Sequence, residues 1–294
     1  MTDDGWTTTS ALLAGGLGSS DEAPIVVDAR GRVAFAAAHV PGAIRLSWLR
    51  FREGLGRTGK LPHNLAALRS ALVRRGLDPE RRIVVYGSAS TGWGEDGRIV
   101  WMLRYLGFTG ARMLDGGFAA WRSTGGRVTR GPAFRRMGEG NATHDPHGVG
   151  GRADTAVCSE FRASIADVQR AVDDATHGTG LLDTRSLAEW NGSRRYWPAR
   201  GGRIPGATHV EWTSLLTGNG LLDRSPAALT RLARRGLAPQ RPIIAYCVGG
   251  VRSAHACVAL RALGFTDVRN YDGSWYEWAN DRARPIDVSR SEAS

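Results

Sequence analysis

The chain has 294 residues, room for two ordinary domains with separate cores, and its 42% hydrophobic and 23% charged residues are those of a soluble globular protein. No apolar run approaches the length of a bilayer span, and the acidic start Met1-Thr2-Asp3-Asp4 lacks the basic region of a secretory signal, so a cytoplasmic location is expected. The net charge of +11 comes from arginines scattered along the chain, with Lys60 the only lysine; this argues against a nucleic-acid footprint but leaves a positive field that gathers small anions.

In chain order, a Gly/Ser/Asp-rich leader over 1–24 gives way to the apolar run Ile25-Val26-Val27, which ends in Asp28-Ala29-Arg30. His39-Val40-Pro41-Gly42-Ala43 follows, then residues 65–75 with apolar side chains at helical spacing and Gly76 as a stop signal. Ile83-Val84-Val85-Tyr86 reads as a buried strand that ends in Gly87-Ser88-Ala89, and a helix is predicted over 97–106. Asp115-Gly116-Gly117-Phe118 and Trp121 close this unit.

The same order of signals then recurs. Leu182-Asp183-Thr184-Arg185 repeats Val27-Asp28-Ala29-Arg30, and Arg203-Ile204-Pro205-Gly206-Ala207 repeats His39-Val40-Pro41-Gly42-Ala43. Ile243-Ile244-Ala245-Tyr246-Cys247 matches the strand ending at Gly87, Leu263-Gly264-Phe265 repeats Leu106-Gly107-Phe108, and Asp272-Gly273-Ser274-Trp275 repeats the closing motif. Two copies of one α/β domain are therefore expected, over 25–130 and 160–288. Between them lies a Gly/Pro/Asp-rich linker over 131–159, and a short tail follows over 289–294. Short apolar strands alternating with helices predict, in each copy, a mostly parallel sheet flanked by helices on both faces. Ligands of such sheets bind beyond the carboxyl ends of the strands.

Cys247 stands at such an end, and its counterpart in the first copy is Gly87. A strand-end cysteine alone is most often core. Here Val248, Gly249, Gly250 and Val251 form a short loop, and Arg252-Ser253 opens a helix expected over 254–263. Free backbone N–H groups, the helix dipole and the Arg252 cation all favour a thiolate at that place. The loop is thus expected to cradle an anionic or sulfur-bearing group. Cys158 and Cys257 are the remaining cysteines; no CxxC or Cys/His spacing points to zinc, and an odd, sparse set argues against a disulfide framework. Neither a metal nor a cofactor is expected.

These motifs resemble those of the rhodanese superfamily, specifically the tandem-domain sulfurtransferases whose first domain is inactive and whose second is active. The likeness rests on the two Asp-x-Arg strand ends, the two Pro-Gly-Ala turns, the Cys247 loop and Asn270-Tyr271-Asp272-Gly273-Ser274-Trp275. It implies a double displacement in which Cys247 takes a sulfane sulfur as a persulfide and hands it on, with the N–H groups from Val248 to Ser253 stabilising the anions. The partners implied are a small anionic sulfur donor and a thiol, cyanide or protein acceptor, with no nucleic acid and no membrane. The resemblance makes Asp183 and Arg185 a supporting pair, with substrate contact by Arg185 as the alternative. It sets Arg203 at the mouth or on the surface, and has Asp272 and Trp275 brace the loop; a role for His255 stays open.

Four residues separate Cys247 from Arg252, where the cysteine phosphatases of related fold carry five, so a smaller bowl is expected here. Gly249 and Arg252 replace a serine and a threonine of the mercaptopyruvate-type loop, and Glu189 stands where those members tend to place an arginine for the substrate carboxylate. Thiosulfate is therefore the expected donor, with 3-mercaptopyruvate and a dedicated protein relay as alternatives.

Overall fold

The computed structural model describes residues 4–17, 23–54, 58–132, 157–174, 178–196 and 199–288. The first half runs β1 (Thr7–Thr8), α1 (Ser10–Gly16), β2 (Ile25–Asp28), α2 (Arg32–Ala37), β3 (Ile44–Arg45), α3 (Leu65–Arg74), β4 (Ile83–Tyr86), α4 (Glu95–Tyr105), β5 (Ala111–Leu114) and α5 (Gly117–Ser123). The second half repeats the series as β6 (Arg162–Ala163), α6 (Ile165–Asp173), β7 (Gly180–Asp183), α7 (Leu187–Trp190), β8 (Thr208–His209), α8 (Pro226–Arg234), β9 (Ile243–Tyr246), α9 (Arg252–Ala262), β10 (Val268–Tyr271) and α10 (Ser274–Asn280). Among the described residues these strands form two five-stranded sheets, ordered β1-β5-β4-β2-β3 and β6-β10-β9-β7-β8, and each strand pair is parallel.

Burial on both faces explains why the central strands read as continuous apolar runs rather than alternating ones. Successive side chains point to opposite faces: Val26, Val84 and Tyr86 pack with Phe35 and Trp121 on one side, Val27, Ile83 and Val85 with Ile99 and Leu103 on the other. The second sheet does the same, with Leu181, Ile244 and Tyr246 against Trp275 and Trp278, and Leu182, Ile243 and Ala245 against Leu232 and Leu260.

Within the expected leader over 1–24, residues 7–17 are part of the first domain's fold. Thr7 and Thr8 pair with Met113 and Leu114, and Leu13 of α1 is buried in the first core. Most of the expected linker lies outside the described residues, but its end is held: the Cys158 N–H donates to the Tyr105 carbonyl at 3.0 Å and Val157 packs on the first core.

The two halves meet through α4 and α9, which pack against each other. Both helices are buried nearly all round, and Ala254 and Val258 of α9 belong to the first domain's core. Gly97 permits this approach, since a Cβ there would overlap the backbone of His255. Polar contacts reinforce the seam: Lys60 Nζ lies 2.7 Å from Glu277 Oε1, and the Leu61 N–H donates to Asp272 Oδ2 at 2.8 Å. Two strand carboxyl ends and two helix starts are thereby brought to one region, and the second domain's site is built partly against the first.

Candidate active site

Strand β9 delivers Cys247 to the carboxyl edge of its sheet, and residues 248–251 curl back before α9 begins. Gly250 adopts φ +77°, and a Cβ there would stand 2.5 Å from the Asp272 carbonyl oxygen, so only glycine lets the loop close against the end of β10. The curl aims backbone donors inward: the Gly250 N–H reaches Cys247 Sγ at 3.1 Å. Cys247 is 1% exposed. That burial opposes ionisation, but the Arg252 cation, the Ser253 N–H and hydroxyl and the Gly249 N–H outweigh it and hold the thiol pKa below its ordinary value. Cys257 has no such surroundings, and burial pushes its thiol up to about 12; burial also raises that of Cys158.

Arg252 is fixed by Glu189, a pairing the sequence did not suggest. Its Nη1 and Nη2 each lie 2.8 Å from one oxygen of Glu189, a bidentate pair on the rim of the loop. Glu189 in turn accepts the Ser186 N–H and hydroxyl, both at 2.8 Å, as the third residue of the capping box of α7. Burial acts against its charge, but these bonds prevail and hold the Glu189 carboxyl at about 2. The capping-box spacing Ser186-x-x-Glu189 was the available signal. Trp93, from the loop before α4 of the first domain, is 63% exposed with its ring 6.0 Å from the Arg252 guanidinium, so both domains contribute to the mouth.

Behind the loop, Asn270 donates to the Gly250 carbonyl at 3.1 Å, and its own carbonyl lies 2.7 Å from the Ser253 hydroxyl. That hydroxyl has a single proton, which serves either Asn270 or the thiolate at one time. Asp272 receives Arg162 at 3.1 Å as well as the Leu61 N–H from the other domain. The Cys247 N–H donates to Ser274 Oγ at 3.1 Å, and the Trp275 and Tyr276 N–H groups donate to the Cys247 and Val248 carbonyls at 3.0 and 2.9 Å. Unpaired donors at the start of α10 thus find acceptors in the loop's own carbonyls, leaving the loop's N–H groups to face the sulfur.

Asp183 and Arg185 form a buried bidentate pair, with Nε–Oδ1 2.9 Å and Nη2–Oδ2 2.5 Å, and Arg185 also donates to the Gly202 carbonyl at 2.8 Å. The guanidinium covers the Trp275 ring at 4.6 Å. Arg185 is 1% exposed, and its bonds to Asp183 and the Gly202 carbonyl are those of a strand-end brace. The first domain repeats it with Asp28, Arg30 and Tyr86. Arg203 is not exposed, contrary to one of the two expectations for it. It is buried, paired with Asp287 at 2.8 Å, and lies over the Trp190 ring. His255 faces away from Cys247 and across the domain seam, where its Nδ1 lies 3.0 Å from Asp96 Oδ1.

Asp96 also occupies the space beside Gly87 in the first domain. A Cβ on Gly87, the counterpart of Cys247, would stand 2.7 Å from Asp96 Oδ2. Among the described residues, no group of three or more His, Cys, Asp or Glu side chains is placed to hold a metal, and no helix is long and apolar enough to cross a membrane.

Fold and site together define a two-domain α/β protein with one buried cysteine loop, whose thiol pKa is lowered by inward N–H groups and one fixed guanidinium. The chain belongs to the rhodanese-like domain family, which matches residues 12–124 and 164–281. It is 31% identical over 266 residues to a thiosulfate sulfurtransferase from Corynebacterium glutamicum, covering 86% of this chain and 81% of that one. It is 28% identical over 263 residues to the sulfur carrier protein TtuD of Thermus thermophilus, covering 86% of each. Among solved structures, the anaerobic ergothioneine biosynthesis enzyme of Chlorobium limicola in complex with trimethyl histidine superposes with a TM-score of 0.79 at 20% identity, over 97% of this chain and 71% of that one.

Proposed function

We propose that this protein is a sulfurtransferase that takes the outer sulfur of thiosulfate onto Cys247 and passes it to a thiophilic acceptor. The observation that carries this reading is the Cys247 loop itself, a buried thiol with a depressed pKa, the Gly250 N–H 3.1 Å from its sulfur and a cation one turn away. In the first half-reaction the thiolate attacks the sulfane sulfur. A new S–S bond forms, the donor's S–S bond breaks, and sulfite leaves with the electron pair. The terminal sulfur of the persulfide keeps a negative charge, and the same N–H groups stabilise it without rearrangement. In the second half-reaction the acceptor attacks that terminal sulfur and the Cys247 thiolate departs. With cyanide the product is thiocyanate.

Thiosulfate is favoured over 3-mercaptopyruvate because position 189, where the resemblance would place an arginine for the substrate carboxylate, is a glutamate bound to Arg252, and Arg185 is buried against Asp183. A second reading, a persulfide relay to a protein acceptor, is supported by the likeness to the Thermus sulfur carrier and by the apolar Val248 and Val251 beside the thiol. Intact-mass spectrometry tests the proposal. Incubation with thiosulfate is expected to add one sulfur, about 32 Da, on Cys247, and cyanide to remove it. Cys247→Ser is expected to fold and take no sulfur. Sulfur gained elsewhere, or by that variant, refutes the mechanism. Loading by thiosulfate with discharge only to a protein thiol selects the relay.

A further inference from the structure

We infer that Arg98, a residue of the unarmed first domain, is a positioning residue for sulfur transfer at Cys247, holding the wall behind the active loop and keeping a fixed positive charge beside it. This rests on the reading of Cys247 as the nucleophile. Arg98 lies on α4 eight residues before Leu106-Gly107-Phe108, and His255 lies on α9 eight residues before Leu263-Gly264-Phe265. The two are counterparts in the repeat, and each crosses the seam. His255 reaches Asp96 beside the empty first site, while Arg98 reaches toward the loaded one.

Three observations place Arg98 there. Its Nη2 donates to the Gly59 carbonyl. Gly59 is in turn pressed on the active loop, where a Cβ would overlap the Gly249 carbonyl oxygen and meet Val251. Arg98 thus holds the first-domain segment that backs residues 249–251. Second, the side chain is 1% exposed, yet its Nε and Nη1 have no hydrogen-bond partner. A buried guanidinium with two unused donors is costly as a purely structural device. The Trp101 ring lies 4.5 Å from the cation. Third, the charges that act on it are those of the site: burial pulls its pKa down to about 10, Asp272 and the Cys247 thiolate act to raise it, and Arg162 to lower it. It is therefore a cation at neutral pH, and the interaction is mutual: a thiolate that favours charged Arg98 is itself favoured by it.

Among the described residues, Arg252 is the charge of Cys247's own domain that acts on its thiol. Arg252 is neutralised in part by Glu189, and Asp272 is shared between Arg162 and the Leu61 N–H. Arg98 adds a cation that carries no carboxylate partner of its own among its hydrogen bonds and does not move as the anion passes from thiolate to persulfide and back. That is the arrangement expected of fixed electrostatic support.

The test is the pH dependence of iodoacetamide alkylation at Cys247, located by peptide mass, in the wild type and in Arg98→Gln, Arg98→Met and Arg98→Lys. Alkylation needs no sulfur donor, so failure of the sulfurtransferase reading would appear separately, as an unloaded wild type. The neutral variants are expected to move the alkylation midpoint to higher pH and to slow persulfide loading several-fold at pH 7, with the loss recovered above the new midpoint. Arg98→Lys is expected to keep the wild-type midpoint, which remains decisive should a neutral variant not fold. An unmoved midpoint in folded Arg98→Gln or Arg98→Met overturns the inference, as does Arg98→Lys displaced from the wild type.

Discussion

Glu189→Gln probes the rim of the site. In the folded chain the Glu189 carboxyl ionises at about 2, against 4.5 ordinarily. A gap of that size corresponds to about 3 kcal/mol at neutral pH. Because the folded value is depressed, the stability is present above pH 4.5, where the unfolded chain is also ionised, and is lost as pH falls toward 2. The amide keeps the shape, but it removes the charge opposite Arg252 and leaves a guanidinium 8% exposed without its counter-ion. Stranding one partner of a buried pair costs about 3–5 kcal/mol, the same range as the linkage figure. Denaturant unfolding at pH 7 is expected to show the second domain of Glu189→Gln less stable by about 3 kcal/mol, and the gap to the wild type to shrink as pH falls from 5 toward 2. A variant within about 0.5 kcal/mol of the wild type at pH 7 would refute the view that this pair holds the rim.

Gly250→Ala meets both a positive φ and the Asp272 backbone; persulfide loading is expected to fall at least about tenfold while far-ultraviolet circular dichroism stays native. Ser253→Ala removes a hydroxyl within reach of the sulfur, so the alkylation midpoint of Cys247 should rise; an unmoved midpoint would show that the hydroxyl serves Asn270 alone. Gly87→Cys puts a sulfur where Asp96 already stands, and mass spectrometry after thiosulfate should find no second persulfide.

The duplicated fold was legible because its signals are local. Central strands buried on both faces leave uninterrupted apolar runs, and strand ends, glycine turns and helix starts mark themselves within a few residues. Cys247 was legible for the same reason: the N–H donors, the glycine with positive φ and the arginine lie in one heptapeptide. The leader misled because β1 is two residues long, too short for any period, and is a strand only through its pairing with β5. The placement of Arg203 depends on Asp287, far along the chain, and that of Arg252 on Glu189; the capping box at Ser186 marks Glu189 as a helix start, but nothing at either residue announces its long-range partner. Arg98 offered a clue, an arginine just ahead of the buried run Ile99-Val100-Trp101-Met102-Leu103, but only the packing of α4 on α9 says where it points.

The two domains share a sheet and differ in the charge at one helix start. The helix that follows the empty strand end opens with Glu95 and Asp96, and the helix that follows Cys247 opens with Arg252 and Ser253. Burial, and then the neighbouring Asp96, raise the Glu95 pKa, the reverse of what an anion-holding bowl needs. A thiol at Gly87 would lie against a carboxylate, which favours its neutral form; at Cys247 it lies against a cation and inward N–H groups, which favour the thiolate. A glycine in place of the cysteine and the reversed charge at the first strand end are thus mutually consistent. Asp96 beside that strand end ties down His255 across the seam. The first domain supplies part of the wall of the second site, through Gly59 against the loop, Leu61 on Asp272 and Trp93 at the mouth. A second domain cut away from the first would keep Cys247, Arg252 and Glu189, but it would expose Ala254 and Val258 of α9 and leave residues 249–251 without backing.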